Sequence, residues 1–170
     1  MTDTVRLAVN GSDVELRVEP RETLADALRR TQGTRSVRLG CEHGACGACT
    51  VRLDGRTVRS CLVFAIQAEG AQVETAEGLA AHDACFQRLQ ESFACGNAFQ
   101  CGFCATGMLM TASELLAEEP RPDADSVRER LAGNLCRCTG YESIVAGVLR
   151  AVDGATDPAT GPATGEVAER

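Results

Sequence analysis

Gly40-Cys-Glu-His-Gly-Ala-Cys-Gly-Ala-Cys49 is the stretch that decides how the first half of this chain folds, and Cys61 follows it. Three cysteines with the spacing C-x4-C-x2-C, and a fourth further along the chain, form the ligand pattern of plant-type [2Fe–2S] clusters. Gly40, Gly44 and Gly47 allow the loop to wrap tightly and to bring backbone N–H groups close to an anionic cluster. The stretch therefore predicts a first iron–sulfur site with four thiolate ligands, which are Cys41, Cys46, Cys49 and Cys61.

A second set of cysteines lies in the later half of the chain, in Cys101-Gly-Phe-Cys104 and Cys136-Arg-Cys138. The apolar pattern predicts that Cys104 precedes one helix and that Cys138 directly precedes Thr139, the N-cap of another. Helix N-termini carry partial positive charge and free N–H donors. Because a cluster held by four thiolates is anionic, two helix starts that converge on it would stabilise it. The second predicted site has the ligands Cys101, Cys104, Cys136 and Cys138.

Other uses of these cysteines remain open at this point. Zinc also accepts four thiolates, although zinc ribbons and fingers usually present two short paired knuckles, so zinc competes mainly for the second set. A redox disulfide within the C-x-x-C pair is a further alternative. Cys85 and Cys95 fit no ligand spacing and are interpreted as buried or incidental thiols. A Rieske centre needs two histidines on one iron, and His43 and His82 lie far apart in the chain.

Composition narrows the class of protein. With 170 residues, the chain can form one ordinary domain or two small ones with thin cores. The N-terminal residues lack the pattern of a signal peptide, which predicts a cytoplasmic protein in which clustered cysteines bind metal. A net charge of −7 and the lack of a basic cluster argue against nucleic acid as a partner. No apolar run approaches the ~18 residues of a membrane span.

Alternating apolar residues predict strands in the first half. They surround Asn10-Gly11 and Asp54-Gly55, two strong hairpin signals, and Val73 marks one more short strand. Between the hairpins, Thr23 and Asp26 predict the start of a short helix that ends near Gly33. Strands crossed by one helix predict an α+β unit over residues 1–77.

From Leu79 onward, apolar residues recur about every 3.6 positions, as in a helix, and no longer at every second position. Four amphipathic helices are predicted, the third starting at Asp123 or Asp125 and the fourth with the capping box Thr139-Gly-Tyr-Glu142. They indicate a four-helix domain over residues 78–152. Residues 153–170 are small, polar and interrupted by proline, which predicts a disordered tail.

Three motifs together resemble one family: Cys41 to Thr50, Gln100-Cys-Gly-Phe-Cys104, and Gly133-Asn-Leu-Cys-Arg-Cys-Thr-Gly-Tyr141. The family is that of the small iron–sulfur subunits of molybdenum hydroxylases, the xanthine dehydrogenase and aerobic carbon monoxide dehydrogenase group. The resemblance implies a β-grasp ferredoxin-like domain followed by a four-helix domain, each with one [2Fe–2S] cluster. One departure is Ala105-Thr106-Gly107 in place of Thr-Pro-Gly, which removes a proline that preorganises a helix start.

The resemblance also implies a function, that of an electron-transfer subunit without catalytic residues of its own. A large subunit would bind molybdopterin, often as its cytosine dinucleotide, and a medium subunit would bind FAD. Electrons would pass from the large subunit to the helical-domain cluster, then to the ferredoxin-like cluster and the flavin. Gln100 and Cys138 match residues that lie against the pterin, and two heterotrimers commonly pair. The alternatives are a free-standing two-cluster electron carrier and a zinc-bound adaptor; the substrate is not predicted, because selectivity belongs to the large subunit.

Overall fold

The computed structural model describes residues 2–32 and 34–153. Two tight turns with positive φ angles connect its first four strands in pairs. Asn10 and Gly11 have φ values of 51° and 79°, and Asp54 and Gly55 have values of 48° and 82°. Two consecutive positive φ angles are what a type I′ turn requires, and this turn matches the twist of paired strands. Both predicted hairpins are therefore confirmed: β1 (Asp3–Val9) with β2 (Ser12–Val18), and β3 (Thr50–Leu53) with β4 (Arg56–Arg59).

A short strand joins the two hairpins into one sheet. β5 (Gln72–Glu74), predicted from Val73, pairs in parallel with β1 and antiparallel with β3. The resulting strand order is β2-β1-β5-β3-β4. This mixed sheet precedes the helical second half of the chain, so the predicted α+β architecture is confirmed.

One helix covers the sheet of the first half. In α1 (Leu24–Thr31), the side chains of Leu24, Ala27 and Leu28 are fully buried, as the apolar spacing predicts. Thr23 caps the helix: its hydroxyl oxygen accepts the N–H of Asp26 at 3.1 Å. That hydroxyl also donates to the Asp26 carboxylate at 2.6 Å. The predicted helix start is confirmed, and the predicted end at Gly33 lies outside the described residues.

The second half is built from helices around one apolar cluster. The four predicted helices are α3 (Ala84–Cys95), α4 (Ala105–Glu118), α5 (Ala124–Leu131) and α6 (Glu142–Asp153), and the short α2 (Ala76–His82) precedes them. Their largest fully buried side chains are Leu79, Phe86, Leu89, Met108, Met110, Leu131 and Ile144. None of the helices in the described residues is long and apolar enough to span a bilayer.

Asp83 separates α2 from α3, the first predicted helix of this half. The backbone N–H of Asp83 donates to the carbonyl of Leu79 and ends α2, while its carboxylate accepts the N–H of Phe86 at 2.9 Å and starts α3. An aspartate that bonds to nearby backbone favours a cap over continued helix. The structure therefore adds a separate short helix, α2, before the first of the four predicted helices.

The predicted start of the last helix at Thr139 is wrong. α6 begins at Glu142, and the carbonyl of Tyr141 accepts the N–H groups of Ile144 and Val145 at 2.9 Å each. Thr139 does not cap α6, and its hydroxyl donates to the sulfur of Cys136 at 3.2 Å. Cys138 consequently does not stand directly before a helix.

The predicted tail over 153–170 is partly corrected by the same helix. Asp153 is the last residue of α6 and not the first residue of a tail. The rest of that prediction, residues 154–170, lies outside the described residues.

We expect Thr23→Ala to lower the free energy of unfolding by about 1 kcal/mol, since it removes the side-chain acceptor of the Asp26 N–H. Urea unfolding followed by circular dichroism measures this change. Thr23→Ser keeps the hydroxyl oxygen and serves as the control. An alanine variant as stable as the parent chain would contradict a stabilising role of this cap.

Candidate metal centres

The loop from Cys41 to Cys49 folds back on its own backbone N–H groups. The N–H of Cys46 donates to the sulfur of Cys41 at 3.3 Å. The N–H of His43 is the main cause that lowers the pKa of Cys41 to about 6, with smaller contributions from those of Cys46 and Ala45. Donors aimed at a sulfur favour its thiolate form, the form that binds metal.

Two glycines give the loop this shape. Gly44 and Gly47 have φ values of 83° and 75°, in a region that other residues rarely adopt. Gly40 has no such angle but leaves space, since a Cβ there would lie 3.2 Å from Phe103 and 3.3 Å from the Cys46 sulfur. At all three predicted loop positions, a side chain would be disfavoured by the backbone conformation or by lack of space.

Cys49 and Cys61 supply the buried side of the first set. Cys61 follows β4 in a short turn over Ser60–Leu62. The hydroxyl of Ser60 donates to the carbonyl of Cys49 at 2.6 Å, and its N–H donates to the same oxygen at 3.3 Å. Burial raises the pKa of Cys61 to about 11, aided by a hydrogen bond and the charge of Cys49 and by the charge of Cys41. The hairpin thus returns Cys61 to the loop.

The second set comes together from two distant segments. The sulfurs of Cys101 and Cys138 lie 3.5 Å apart, and both residues are exposed. Cys104 precedes α4 and is buried, and burial together with the neighbouring Cys136 raises its pKa to about 12. The pKa of Cys136 is lowered despite burial, because Thr139 donates to its sulfur through both hydroxyl and N–H. All four predicted residues therefore converge.

Each donor set has the four thiols that a two-iron cluster requires. In the described part of the chain, no three or more histidine, cysteine, aspartate or glutamate side chains are arranged to hold one metal ion. A [2Fe–2S] cluster places two thiolates on each iron and so accepts a wider spacing of sulfurs than one zinc ion does. The thiols, with backbone N–H groups aimed at several of them, fit such a cluster.

The side chains of the remaining cysteines and histidines do not belong to these sets. Cys85 is half-buried, and burial raises the pKa of its thiol, whereas Cys95 is exposed at the end of α3. His43 makes a 2.5 Å contact between Nδ1 and the Cys41 carbonyl. His82 faces Glu74 at 3.2 Å. Neither histidine joins a ligand set.

Gln100 lies at the exposed edge of the second set. Its Nε2 donates to the carbonyl of Cys138 at 3.0 Å. The structure thus brings Gln100 and Cys138 together, as their match to pterin-facing family residues requires, while the contact with a pterin stays a prediction.

Two residues that sequence reasoning missed connect the cysteine loops. The N–H of Leu135 donates to the carbonyl of Cys46 at 2.9 Å. Asn134 is 1% exposed, and its Nδ2 donates to the carbonyl of Gly47 at 3.3 Å. The sequence does place both residues directly before Cys136, inside the motif Gly133 to Tyr141, but it gives no sign of this contact.

Phe103 and Thr106 also join the two halves of the chain. The guanidinium of Arg38 lies 5.6 Å from the centre of the Phe103 ring and donates to the carbonyl of Gly102 at 3.1 Å. Thr106, which stands where the family has proline, donates through its hydroxyl to the carbonyl of Ser36 at 2.9 Å. The departure from the family motif therefore adds a contact between the halves, and α4 still starts at Ala105.

Comparisons with known proteins agree with this geometry. The 2Fe-2S iron-sulfur cluster binding domain family matches residues 7–85, and the [2Fe-2S] binding domain family matches residues 75–149. The chain is 50% identical over 147 residues to the nicotine 6-hydroxylase small subunit of Paenarthrobacter nicotinovorans, with 86% of this chain and 88% of that one covered. It is 43% identical over 150 residues to the xanthine dehydrogenase iron-sulfur-binding subunit of Escherichia coli O157:H7, with 87% and 93% covered.

A solved structure shares both halves. A chain of quinoline 2-oxidoreductase from Pseudomonas putida 86 superposes with a TM-score of 0.83 at 47% identity, over 91% of this chain and 96% of that one. Identity of this size over nearly the full length of both chains goes beyond a shared fold. The chain belongs to the small iron–sulfur subunits of the molybdenum hydroxylase family.

Proposed function

We propose that the two cysteine sets of this chain hold two [2Fe–2S] clusters in series between a molybdenum-containing large subunit and an FAD-containing medium subunit. The observation that carries this proposal is the convergence of eight thiols into two sets within one chain. Each cluster would accept and release one electron at a time. The chain itself would hold the clusters, limit their contact with water and fix their separation.

The ligands of the first cluster would be Cys41, Cys46, Cys49 and Cys61. Three backbone N–H groups aimed at the Cys41 sulfur would stabilise the added negative charge of the reduced state. Cys49 and Cys61 would shield the cluster from water, because they are only 2% and 6% exposed. The ligands of the second cluster would be Cys101, Cys104, Cys136 and Cys138.

The two cysteine sets differ in the residues that are exposed beside them. This difference supports a direction of electron transfer, from the second set to the first. Cys101 and Cys138 are exposed beside Gln100, so the large subunit could bring its pterin against the second cluster there. Next to the first set, Leu62 and Phe64 leave 61% and 46% of their surface exposed. Large apolar side chains in this position favour contact with another subunit, and we assign that contact to the medium subunit.

The relatives support a class of substrate for the whole complex. Their names include nicotine 6-hydroxylase and caffeine dehydrogenase among the sequences and quinoline 2-oxidoreductase among the structures. Nicotine, caffeine and quinoline are all nitrogen heterocycles. We infer that the complex hydroxylates a nitrogen heterocycle, with two heterotrimers paired in one assembly.

Purification of the chain with its natural partners tests this function. We expect about four irons per chain, no zinc, and two distinct EPR signals after reduction, as two [2Fe–2S] clusters require. A larger molybdenum-containing subunit and a flavin-containing subunit should co-purify. A stable cluster-loaded monomer without partners would favour the free-standing carrier, and a colourless zinc protein would contradict both functions.

Single cysteine variants test the ligand assignment. We expect Cys136→Ser in the assembled complex to abolish one of the two EPR signals and to stop turnover, since one iron would lose a thiolate. Cys85→Ser is the control, because Cys85 is half-buried away from both sets. Loss of a cluster in Cys85→Ser, or full activity of Cys136→Ser, would show that the ligands are wrongly assigned.

A further inference from the structure

The two cysteine loops meet at a single buried side chain, that of Asn134. It is 1% exposed and follows α5, where its N–H donates to the carbonyl of Leu131 at 2.9 Å. Its Nδ2 reaches across to the first loop and donates to the carbonyl of Gly47 at 3.3 Å. A buried amide must have its polar atoms paired, so this side chain has little freedom to rotate.

The carbonyl oxygen of the same amide is held from both halves of the chain. Arg59 at the end of β4 donates to Asn134 Oδ1 at 3.1 Å, and Thr111 on α4 donates to it at the same distance. Arg59 also donates to the carbonyl of Gly133 at 2.7 Å and to the Thr50 hydroxyl at 2.5 Å. Asn134 thus links the sheet, α4 and both cysteine loops through one amide group.

The contact leaves no space for the loops to slide. A Cβ on Gly47 would lie 2.6 Å from Asn134 Nδ2, and a Cβ on Gly107 would collide with the carbonyl oxygen of Gly47. Only glycines at both positions allow the backbone of the first loop to approach α4 this closely. The separation of the loops is therefore set by direct atomic contact.

These contacts stand next to the predicted ligands of both clusters. Gly47 follows Cys46, and Asn134 lies two residues before Cys136. Between them, the N–H of Leu135 donates to the carbonyl of Cys46 at 2.9 Å. The hydrogen bonds of the Asn134 and Arg59 side chains go to backbone or side-chain oxygens and not to cysteine sulfurs.

We propose that Asn134 and Arg59 are positioning residues that hold the two clusters at a fixed separation and thereby set the rate of electron exchange between them. This inference rests on the proposed function of the two cysteine sets. Electron transfer through protein slows steeply as the separation of the two centres grows, so a small movement of one loop has a large effect on rate. Cluster binding itself depends on the cysteines and not on this amide.

The test is Asn134→Ala in the assembled complex. We expect about four irons per chain and both EPR signals to remain, while the magnetic splitting between the two reduced clusters decreases, because dipolar coupling falls with the inverse cube of distance. Rapid-mixing kinetics should show electron exchange between the clusters slowed by roughly 10-fold, a size typical of changes to supporting residues around metal sites.

Ser113→Ala is the matched control. Ser113 is 3% exposed on α4 and accepts a hydrogen bond from Arg52 at 3.2 Å, so it also joins the two halves, but away from both cysteine loops. We expect this variant to keep the splitting and the rate of the parent complex. An equal change in Ser113→Ala and Asn134→Ala would overturn the specific role of Asn134.

Arg59→Lys decides the question if Asn134→Ala does not fold. Lysine keeps the positive charge but cannot donate to Thr50, Gly133 and Asn134 at once, as the guanidinium does. We expect a smaller loss of splitting and rate with unchanged iron content. Parent values in this variant would overturn the proposal.

Chemical reduction tests the positioning role of Asn134 separately from the proposed electron relay between subunits. Dithionite reduces the clusters without partner subunits, so the magnetic splitting reports their separation in any case. A parent chain with coupled clusters that accept no electrons from the large subunit would contradict the proposed function only. Unchanged splitting in Asn134→Ala contradicts the positioning role only.

Discussion

Repulsion between thiolates is the constraint on which this structure depends. Four negative sulfurs within a few ångströms of each other are unfavourable without a cation among them or donors aimed at them. Backbone N–H groups donate hydrogen bonds to the sulfur of Cys41, and a hydroxyl and an N–H donate to the sulfur of Cys136, which stabilises both thiolates. Burial of Cys61 and Cys104 acts in the opposite direction and raises their pKa values to about 11 and 12. Bound iron therefore contributes to folding as well as to redox chemistry.

Turns and helix caps were predictable because they depend on the conformational preferences and hydrogen bonds of residues close together in the chain. The turn at Asn10-Gly11 needs two residues that tolerate positive φ, and the cap at Thr23 needs a hydroxyl next to a free N–H. Thr139 has the same local pattern, yet its hydroxyl bonds to the sulfur of Cys136, a competing partner three residues earlier that the capping pattern does not take into account. The spacing of the cysteines predicted the two sets, whereas the contact of Asn134 with Gly47 depends on how two domains pack, which no local pattern encodes.

The departure at Thr106 shows how one change can be offset within the same element. Loss of proline removes a residue with a preset φ from the first turn of α4. The Thr106 hydroxyl instead bonds to the carbonyl of Ser36, whose own N–H is accepted by the Glu77 carboxylate at 2.8 Å. That carboxylate also accepts the Thr75 hydroxyl at 2.6 Å. A chain of hydrogen bonds thus connects the start of α4 with the start of α2.

The parallel pairing of β1 with β5 has a consequence for synthesis of the chain. Ala8 and Val9 of β1 pair with Gln72 and Val73 of β5. Since β5 is the last strand of the sheet to be synthesised, this pairing forms only after the other strands have left the ribosome. Contacts between residues so distant in the chain form slowly. The first cysteine loop lies inside the segment that this pairing closes. A chain that receives its cluster before β5 arrives would enter folding with its central loop already fixed.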